Sequence, residues 1–215
     1  MAGQTPWQTT GPFFHFALPW RGCADLTGDS EMGARADLCT PGHDVLMQHR
    51  GSSRHLAQGE RIELVGQVYD NTGGPMLDTL IEIWQAGASG RYPHPEDRRS
   101  ELAVDTNFAG FGRCAADKAG SFRFRTIRPG RVPGPGNTLQ APHIALAMIG
   151  PGILKRLATR VYFSDAPENA EDPILSLVPE ERRATLIATR ESAGANVYRF
   201  DIHLSGPNET VFFEF

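Results

Sequence analysis

Two alternating runs of apolar and polar residues between Arg61 and Tyr92 constrain the fold more than any other part of the chain. The first run repeats apolar residues at every second position from Ile62 to Val68, and the second does so from Leu77 to Ile83. A period of two is typical of strands with one buried face. The intervening Asn-Thr-Gly-Gly tolerates positive φ, so we predict that a turn closes the two runs into a β-hairpin.

Later apolar runs predict further strands, at 122–127, 143–149, 159–163, 185–189, 197–204 and 210–215. Residues 179–184 predict a short helix because a proline opens the segment and acids follow it. The segment 128–137 contains too much proline and glycine for a regular element and predicts a surface loop. The fold class is therefore all-β: a β-sandwich of mainly antiparallel strands, with long loops, few short helices and an extended N-terminal arm.

The chain of 215 residues contains no obvious linker and no internal repeat, which favours one domain. We expect residues 1–60 to form an arm and an excursion that belong to the same unit as the sandwich at 61–215. Short helices are possible near 29–39 and 41–50. The aromatic residues of the arm require a surface to lie on, either the chain's own sandwich or a partner chain.

Charge and cysteine content exclude several classes of function. A net charge of −4 argues against nucleic acid and against an anionic membrane surface as partners. The start resembles no signal peptide, and no apolar run reaches membrane-spanning length. The three cysteines, Cys23, Cys39 and Cys114, form no CxxC motif, which argues against a disulfide framework or a zinc site and favours the cytoplasm.

The common catalytic motifs are missing, which leaves one candidate metal pair. Tyr92 ends the loop after the second alternating run, and His143 opens a later strand. A phenolate and an imidazole suit ferric iron. The alternative is a buried tyrosine and a hydrogen-bonded histidine with no metal, and the spacing alone favours that alternative. The charged segment 93–101 is interpreted as a solvated loop.

Several stretches occur in an order that resembles the intradiol ring-cleaving dioxygenases: LIEIWQAGASGRYPHPED, DKAGSFRFRTIRPG, APHIAL, LATRVYF, YRFDIHLSG and ETVFFEF. The resemblance extends from about residue 5 to 215 and is weak at 21–60. The opening TPWQTTGPFF is similar to the arm of the α subunits that hetero-oligomeric members of this family contain. The resemblance implies a β-sandwich, O2 as a substrate and ring cleavage of an aromatic catechol.

The family's catalytic subunits hold a non-haem ferric iron with two tyrosines and two histidines. Tyr92 and His143 match one residue of each kind, whereas Val132 and Ala145 stand at the positions of the second tyrosine and the second histidine. Gln140 stands at the position of the family's arginine. Valine and alanine donate nothing to a metal, so we predict no metal and no catalytic residue in this chain alone. Fe(III) is expected in a partner β subunit with an intact Tyr/Tyr/His/His set.

The resemblance implies that the arm contributes Thr9, Gly11, Pro12 and Phe13 to the partner's substrate pocket. The alternative is that these residues only anchor the arm. An arginine that α subunits can place near the pocket is missing at Gly150-Pro151-Gly152.

Three alternatives remain open at the level of the sequence. In the first, His94 or Glu96 replaces a missing iron ligand. In the second, the chain is a self-sufficient intradiol enzyme that acts on catechol or hydroxyquinol, and Val132 and Ala145 argue against this. In the third, the chain is a non-enzymatic β-sandwich binding module, and the N-terminal run TPWQTTGPFF argues against this.

Overall fold

The computed structural model describes residues 10–11, 18–20, 22–33, 56–192 and 194–214. The elements within these residues are numbered in chain order: strands β1 (Arg61–Tyr69), β2 (Leu80–Trp84), β3 (Phe111–Ala115), β4 (Ser121–Ile127), β5 (Val132–Pro133), β6 (Leu139–Gln140), β7 (His143–Ile149), β8 (Leu157–Phe163), β9 (Ile187–Arg190), β10 (Val197–Arg199) and β11 (Ile202–His203), and one helix, α1 (Glu180–Arg183). Short 3-10 helices span Pro167–Glu171, Leu175–Leu177 and Ala184–Leu186. The all-β prediction is confirmed.

The main sheet has the strand order β4–β1–β10–β9–β8–β7–β2–β3, and β11 continues the β10 edge of β1. Most neighbours are antiparallel, whereas β1 is parallel to β10 and β11, and β8 is parallel to β9. The sheet folds back on itself, so that the half containing β1 packs on the half containing β7. β5 and β6 form a separate two-stranded ribbon.

The core lies between the two halves of the sheet, and alternation along the strands explains its composition. Apolar residues from both halves form one buried cluster: Ile62, Leu64, Val68, Ile81, Ile83, Phe122, Phe124, Ile144, Leu146, Met148, Val161 and Phe163. Because β7 contributes Ile144, Leu146 and Met148 to this cluster, its alternate residues His143 and Ala145 point to the other face of the sheet. This outer face of β2, β7 and β8 carries the pocket described below.

The predicted hairpin between the two alternating runs is wrong, although its turn exists. The Asp70 carboxylate accepts the Thr72 and Gly74 N–H groups, and the Met76 N–H donates to the Val68 carbonyl at 2.8 Å. β2 nevertheless pairs with β3 and β7, not with β1. Both edges of β1 are occupied, by β4 on one side and by β10 and β11 on the other. Asp78, at φ 57, then turns the chain toward the other half of the sheet.

Two of the predicted C-terminal strands differ from the observed elements. The run 197–204 divides into β10 and β11 because the Asp201 carboxylate, not a backbone carbonyl, accepts the Gln67 N–H at 3.0 Å. The run 210–215 forms only a bridge between Phe213 and Ala158 in its described part. The Thr159 hydroxyl donates to the Val211 carbonyl at 2.6 Å, so side-chain bonds replace the ladder there.

Two further elements fall where the sequence predicted none. The proline- and glycine-rich loop at 128–137 contains β5, whose two residues pair with β6, so the prediction of a loop without regular structure is wrong at this point. β3 lies in a segment for which the sequence analysis predicts no strand, and it pairs with β2 over its full length.

The segment 22–33 packs into the sandwich, although its sequence shows no alternation. Cys23, Ala24 and Leu26 are buried, and the Leu26 N–H donates to the Arg125 carbonyl of β4 at 2.8 Å. Just before this segment, Trp20 stacks on Phe111 of β3 with ring centroids 6.0 Å apart. Of the predicted short helices, residues 29–33 form no helix and end in a turn at 32–33, and the remainder at 34–50 lies outside the described residues.

Within the described ranges, every helix is too short and too polar to cross a bilayer. Cys23 and Cys114 are free thiols, and burial raises the pKa of Cys23 to about 12. Cys39 lies outside the described residues.

Candidate functional site

A pocket of about 860 Å³ lies on the outer face of β2, β7 and β8. The loop 90–101 forms one wall, and the β5–β6 ribbon forms another. The lining residues include three of the four positions that the resemblance assigns to iron ligands, and also the position of the family's arginine: Trp84, Tyr92, His94, Glu96, Asp97, Arg98, Arg99, Glu101, Val132, Pro133, Gln140, His143 and Arg160. Tyr92 and His143 therefore line the same pocket, and their assignment to a metal site stays a prediction.

The register of three strands arranges the floor of the pocket. Ala145 of β7 lies opposite Trp84 of β2 on one side and opposite Arg160 of β8 on the other. His143 lies opposite Tyr162, with ring centroids 5.7 Å apart. Side chains directly across an antiparallel pair have Cβ atoms about 5 Å apart, so the methyl group of Ala145 sits between an indole and a guanidinium.

Gly90 and the Asp97–Arg99 pair position the loop that carries Tyr92. Gly90 has φ +79, and a Cβ there would lie 2.0 Å from the Arg131 carbonyl oxygen, so only glycine permits this approach to the β5 segment. Asp97 accepts the Tyr92 N–H at 2.8 Å and the Arg99 Nε–H at 2.8 Å. Arg99 also donates to the Gly90 carbonyl at 2.8 Å. The interpretation of 93–101 as a merely solvated loop is wrong at Asp97 and Arg99, because both are largely buried.

The β5–β6 ribbon places Val132 and Gln140 opposite each other at the pocket wall. Val132 is buried, at 4% exposure, and presents only methyl groups. Gln140 donates to the Pro133 carbonyl at 2.6 Å through its amide nitrogen, so its amide oxygen is free to accept a bond from Arg160.

His143 and Tyr92 are both held in their neutral forms. Burial, together with the positive charge of Arg160, lowers the pKa of His143 to about 4. Its Nδ1 lies 2.8 Å from the Ala141 carbonyl oxygen. A carbonyl only accepts, so Nδ1 carries the proton and Nε2 is the acceptor. Burial also raises the pKa of Tyr92, although Arg160 and Arg99 partly oppose it, which keeps the phenol protonated at neutral pH.

Arg160 places a positive charge in the pocket without an acidic partner among the described residues. Its guanidinium donates to the Gln140 amide oxygen and to the Tyr162 hydroxyl, which are both neutral. The Tyr162 hydroxyl in turn donates to buried Asp172 at 3.0 Å. Sequence analysis missed Arg160. The alternation of β8 puts it on the same face as Tyr162, but the pairing with Ala145 is a matter of register, which the sequence does not state.

The donor set does not fit a ferric ion. Ferric iron in a site of this kind requires anionic oxygen donors and imidazoles in a fixed geometry. Val132 and Ala145 offer no lone pair, so one phenol and one imidazole remain, and the Arg160 guanidinium repels a cation. The described ranges contain no cluster of three or more His, Cys, Asp or Glu side chains that could hold a metal. The absence of iron from this chain remains a prediction.

The two candidate replacement ligands lie at the mouth of the pocket. His94 and Glu96 are both exposed, and Glu96 is paired with Arg98 at 3.9 Å. His94 meets Trp84 edge to face, with ring centroids 6.4 Å apart.

Most of the predicted substrate-contact residues of the arm, Thr9, Pro12 and Phe13, lie outside the described residues. Gly11 is described, and it is exposed; a Cβ built on it would meet no atom within 4 Å.

The fold and the pocket define an all-β protein that places the phenol of Tyr92, the imidazole of His143 and the guanidinium of Arg160 in a single pocket. A family model for dioxygenases matches residues 40–206. The chain is 39% identical to the protocatechuate 3,4-dioxygenase alpha chain of Burkholderia cepacia, over 98% of this chain and 97% of that protein. The chain therefore belongs to the intradiol ring-cleavage dioxygenase family, as its sequence stretches predicted.

Two further relatives match a smaller part of the chain. The chain is 42% identical to the protocatechuate 3,4-dioxygenase beta chain of Burkholderia cepacia, but over only 71% of this chain and 67% of that one. The dioxygenase domain of a dioxygenase carbohydrate-binding protein fusion from Streptomyces sp. SirexAA-E has a TM-score of 0.52 and 28% identity, and the match covers 69% of this chain and 82% of that domain. Among these three relatives, the alpha chain is the one that is similar over nearly the full length.

Proposed function

We propose that this chain is the α subunit of a protocatechuate 3,4-dioxygenase and carries no iron of its own. The observation that carries the proposal is the pocket in which Val132, Ala145 and Arg160 occupy the surroundings of Tyr92 and His143. The nearly full-length similarity to an alpha chain, against partial similarity to a beta chain, supports it. The proposed reaction of the whole enzyme is the O2-dependent cleavage of protocatechuate to 3-carboxy-cis,cis-muconate.

The family uses a non-haem iron, and we place that iron in a partner β subunit with two tyrosine and two histidine ligands. A ferric ion bound there supplies Lewis-acid activation of the aromatic diol. The contribution of this chain is structural: it presents an interface and the N-terminal arm. Gly11 supports a contact between the arm and the partner, because it is exposed and its backbone is unscreened by a side chain. Thr9 offers a hydroxyl, and Pro12 and Phe13 offer apolar edges to an aromatic acid.

Purification of the chain alone, and together with a β chain, tests the assignment of the iron. We expect the chain alone to contain far less than stoichiometric iron and to cleave no catechol. The complex should contain about one iron per pair of chains and should cleave protocatechuate. An iron-loaded chain that opens catechol or hydroxyquinol rings unaided would overturn the proposal in favour of a self-sufficient enzyme, and failure to associate with any β chain would favour a binding module.

The contact of the arm is tested separately, by Gly11→Ala and Gly11→Val in the complex. Added side-chain volume next to the substrate should raise KM for protocatechuate in the order Gly, Ala, Val. Iron content and the mass of the complex should stay constant, because a Cβ added at Gly11 would meet no described atom of its own chain within 4 Å. An unchanged KM in both variants would show that the arm only anchors the chain.

A further inference from the structure

Arg113 of β3 connects the sandwich to residues 18–20, the root of the N-terminal arm. We propose that Arg113, paired with Glu82 of β2, is a positioning residue for the partner's reaction, because it fixes the arm root and so determines where Gly11 can reach. The proposal rests on the proposed function of the chain as an α subunit whose arm contacts the partner's substrate pocket. It adds the residue that holds that arm in place.

The Arg113–Glu82 pair is built into the outer face of the sheet, where the two residues lie directly opposite each other. Their side chains are only 15% and 13% exposed. The Arg113 Nε–H donates to Glu82 Oε1 at 2.9 Å, and Nη2 donates to the same oxygen. Because the pair is largely desolvated and makes two bonds, it holds the guanidinium in one orientation. Arg156 approaches the other oxygen of Glu82 at 3.4 Å and leaves these bonds in place.

The third nitrogen and the charge of the guanidinium hold the arm root. Arg113 Nη1 donates to the Leu18 carbonyl oxygen at 3.2 Å. The Arg113 Cζ lies 5.5 Å from the ring centroid of Trp20 and 5.5 Å from that of Phe111, and these two rings are stacked on each other. A guanidinium within about 6 Å of an aromatic ring centroid is attracted by the ring quadrupole. Within the described ranges, the bond from Arg113 is the only hydrogen bond that links residues 18–20 to a strand.

The place of this anchor along the chain limits the distance between Gly11 and the sandwich. Gly11 lies seven residues before Leu18, and seven residues span at most about 25 Å. The next fixed point is Cys23, twelve residues after Gly11, whose carbonyl accepts the Arg113 backbone N–H at 2.7 Å whatever the side chain. The effective concentration of a tethered group falls with the 3/2 power of tether length or more steeply, so loss of the anchor should lower it about twofold or more.

Steady-state kinetics of the complex with a β chain, together with titration by protocatechuate in the absence of O2, test the proposal. Arg113→Lys keeps a charge beside Glu82, but its single nitrogen lacks the planar fork that holds Glu82 and the Leu18 carbonyl at once. We expect KM and the anaerobic Kd for protocatechuate to rise about twofold or more. The value of kcat should stay nearly constant, because the arm contributes to binding and the partner performs the chemistry.

Arg128→Lys is the matched control for a merely structural effect. Arg128 is also largely buried, pairs with Asp165 at 3.0 Å and lies over the rings of Phe163 and Tyr198, at 4.9 and 5.8 Å from their centroids. It therefore makes the same kinds of contact as Arg113 without any described contact to the arm. Arg128→Lys should lower the urea midpoint of the complex as Arg113→Lys does, and should leave KM and Kd unchanged.

Trp20→Leu tests the same anchor while it leaves the Arg113–Glu82 pair intact. It removes the ring that Arg113 and Phe111 hold, and it should raise KM in the same way as Arg113→Lys. This variant decides the question if the complex with Arg113→Lys does not assemble.

Combination with Gly11→Val distinguishes this proposal from the proposed function. If Arg113 acts through the position of Gly11, Gly11→Val should raise KM less in the Arg113→Lys background than in the unmodified complex. The positioning role is wrong, and the contact of the arm stands, if Gly11→Val raises KM but Arg113→Lys and Trp20→Leu do not. It is also wrong if the two effects are fully additive, or if Arg128→Lys raises KM as much as Arg113→Lys. An unchanged KM for Gly11→Val would remove the contact of the arm and this proposal with it.

Discussion

Asp165 is held charged by three side chains at the end of β8. It accepts bonds from Arg128 at 3.0 Å, Arg190 at 3.3 Å and the Tyr198 hydroxyl at 2.9 Å. Burial alone would raise its pKa, but the hydrogen bonds from Tyr198 and Arg128 outweigh burial, so the pKa lies below its ordinary value. Asp165→Asn should lower the free energy of unfolding at pH 7 by about 1–2 kcal/mol, since partly exposed charged bonds contribute at the low end of their range.

The pH dependence of this loss follows from the direction of the pKa shift. The unfolded carboxyl takes up a proton near pH 4, before the folded one does, so the stabilisation is complete at neutral pH and is lost as pH falls. The difference in urea midpoint between the unmodified chain and the Asp165→Asn variant should therefore become smaller below pH 4. Asp29→Asn, at an exposed pair with Arg61, is the matched control and should change the midpoint little at any pH. A difference that is constant across pH would contradict the assigned cause.

Residue identity and strand register contribute differently to the candidate site. Tyr92, Val132, His143 and Gln140 could be assigned from sequence because short motifs carry them, and they do meet in one pocket. Arg160 could not be assigned, because its importance comes from lying across from Ala145. Asp97 looked like part of a charged surface, and only its bonds to Arg99 and to the Tyr92 backbone show that it shapes the site.

At the scale of elements, the loop that carries Tyr92 is fixed against β5 by the absence of a side chain at Gly90. Gly90→Ala adds a Cβ 2.0 Å from the Arg131 carbonyl oxygen, at a φ that disfavours alanine. We expect a loss of about 2 kcal/mol or more in the free energy of unfolding, because backbone strain and displacement of the loop add. The near-UV signal of the stacked Trp84–Tyr92 pair should also change.

Gly73→Ala separates the two causes. Gly73 has φ +81, close to that of Gly90, but a Cβ on it would meet nothing within 4 Å. It should therefore show the conformational cost alone, about 1 kcal/mol, with an unchanged near-UV signal. Equal losses in the two variants would show that the contact with Arg131 is unimportant.

Alternation identified most strands but not their partners. The β1 run and the β2 segment are both half-buried, as the period of two predicts, yet they lie in different halves of the sheet. Choice of neighbour depends on long-range packing, such as Leu64 of β1 opposite Phe124 of β4, which is not encoded in either run alone. The segment 22–33 was missed for a similar reason: its buried residues follow turns and have no period.

At the scale of the whole molecule, the described residues behave as one unit because both halves of the sheet share one core. Leu26 of the N-terminal segment, Leu64 of β1 and Leu146 of β7 belong to the same buried cluster. Buried Gln85, at the end of β2, accepts the Thr126 hydroxyl of β4 at 2.7 Å and donates to the Ile127 carbonyl at 2.9 Å, which ties the halves together by polar contacts. A substitution that destabilises one half of the sheet should therefore destabilise the other half to the same extent.

Leu64→Ala tests this coupling. Leu64 is fully buried, so its truncation should lower the free energy of unfolding by about 2–5 kcal/mol. Tryptophan fluorescence, which includes Trp84 in the opposite half, and far-UV circular dichroism should shift to the same lower urea midpoint. Leu177→Ala, at a side chain that is 77% exposed, should leave both midpoints nearly unchanged. If the fluorescence midpoint is unchanged while the far-UV midpoint falls, the two halves unfold independently and the description of a single core is wrong. A core shared by both halves cannot lose a central side chain from one half without a loss of packing in the other.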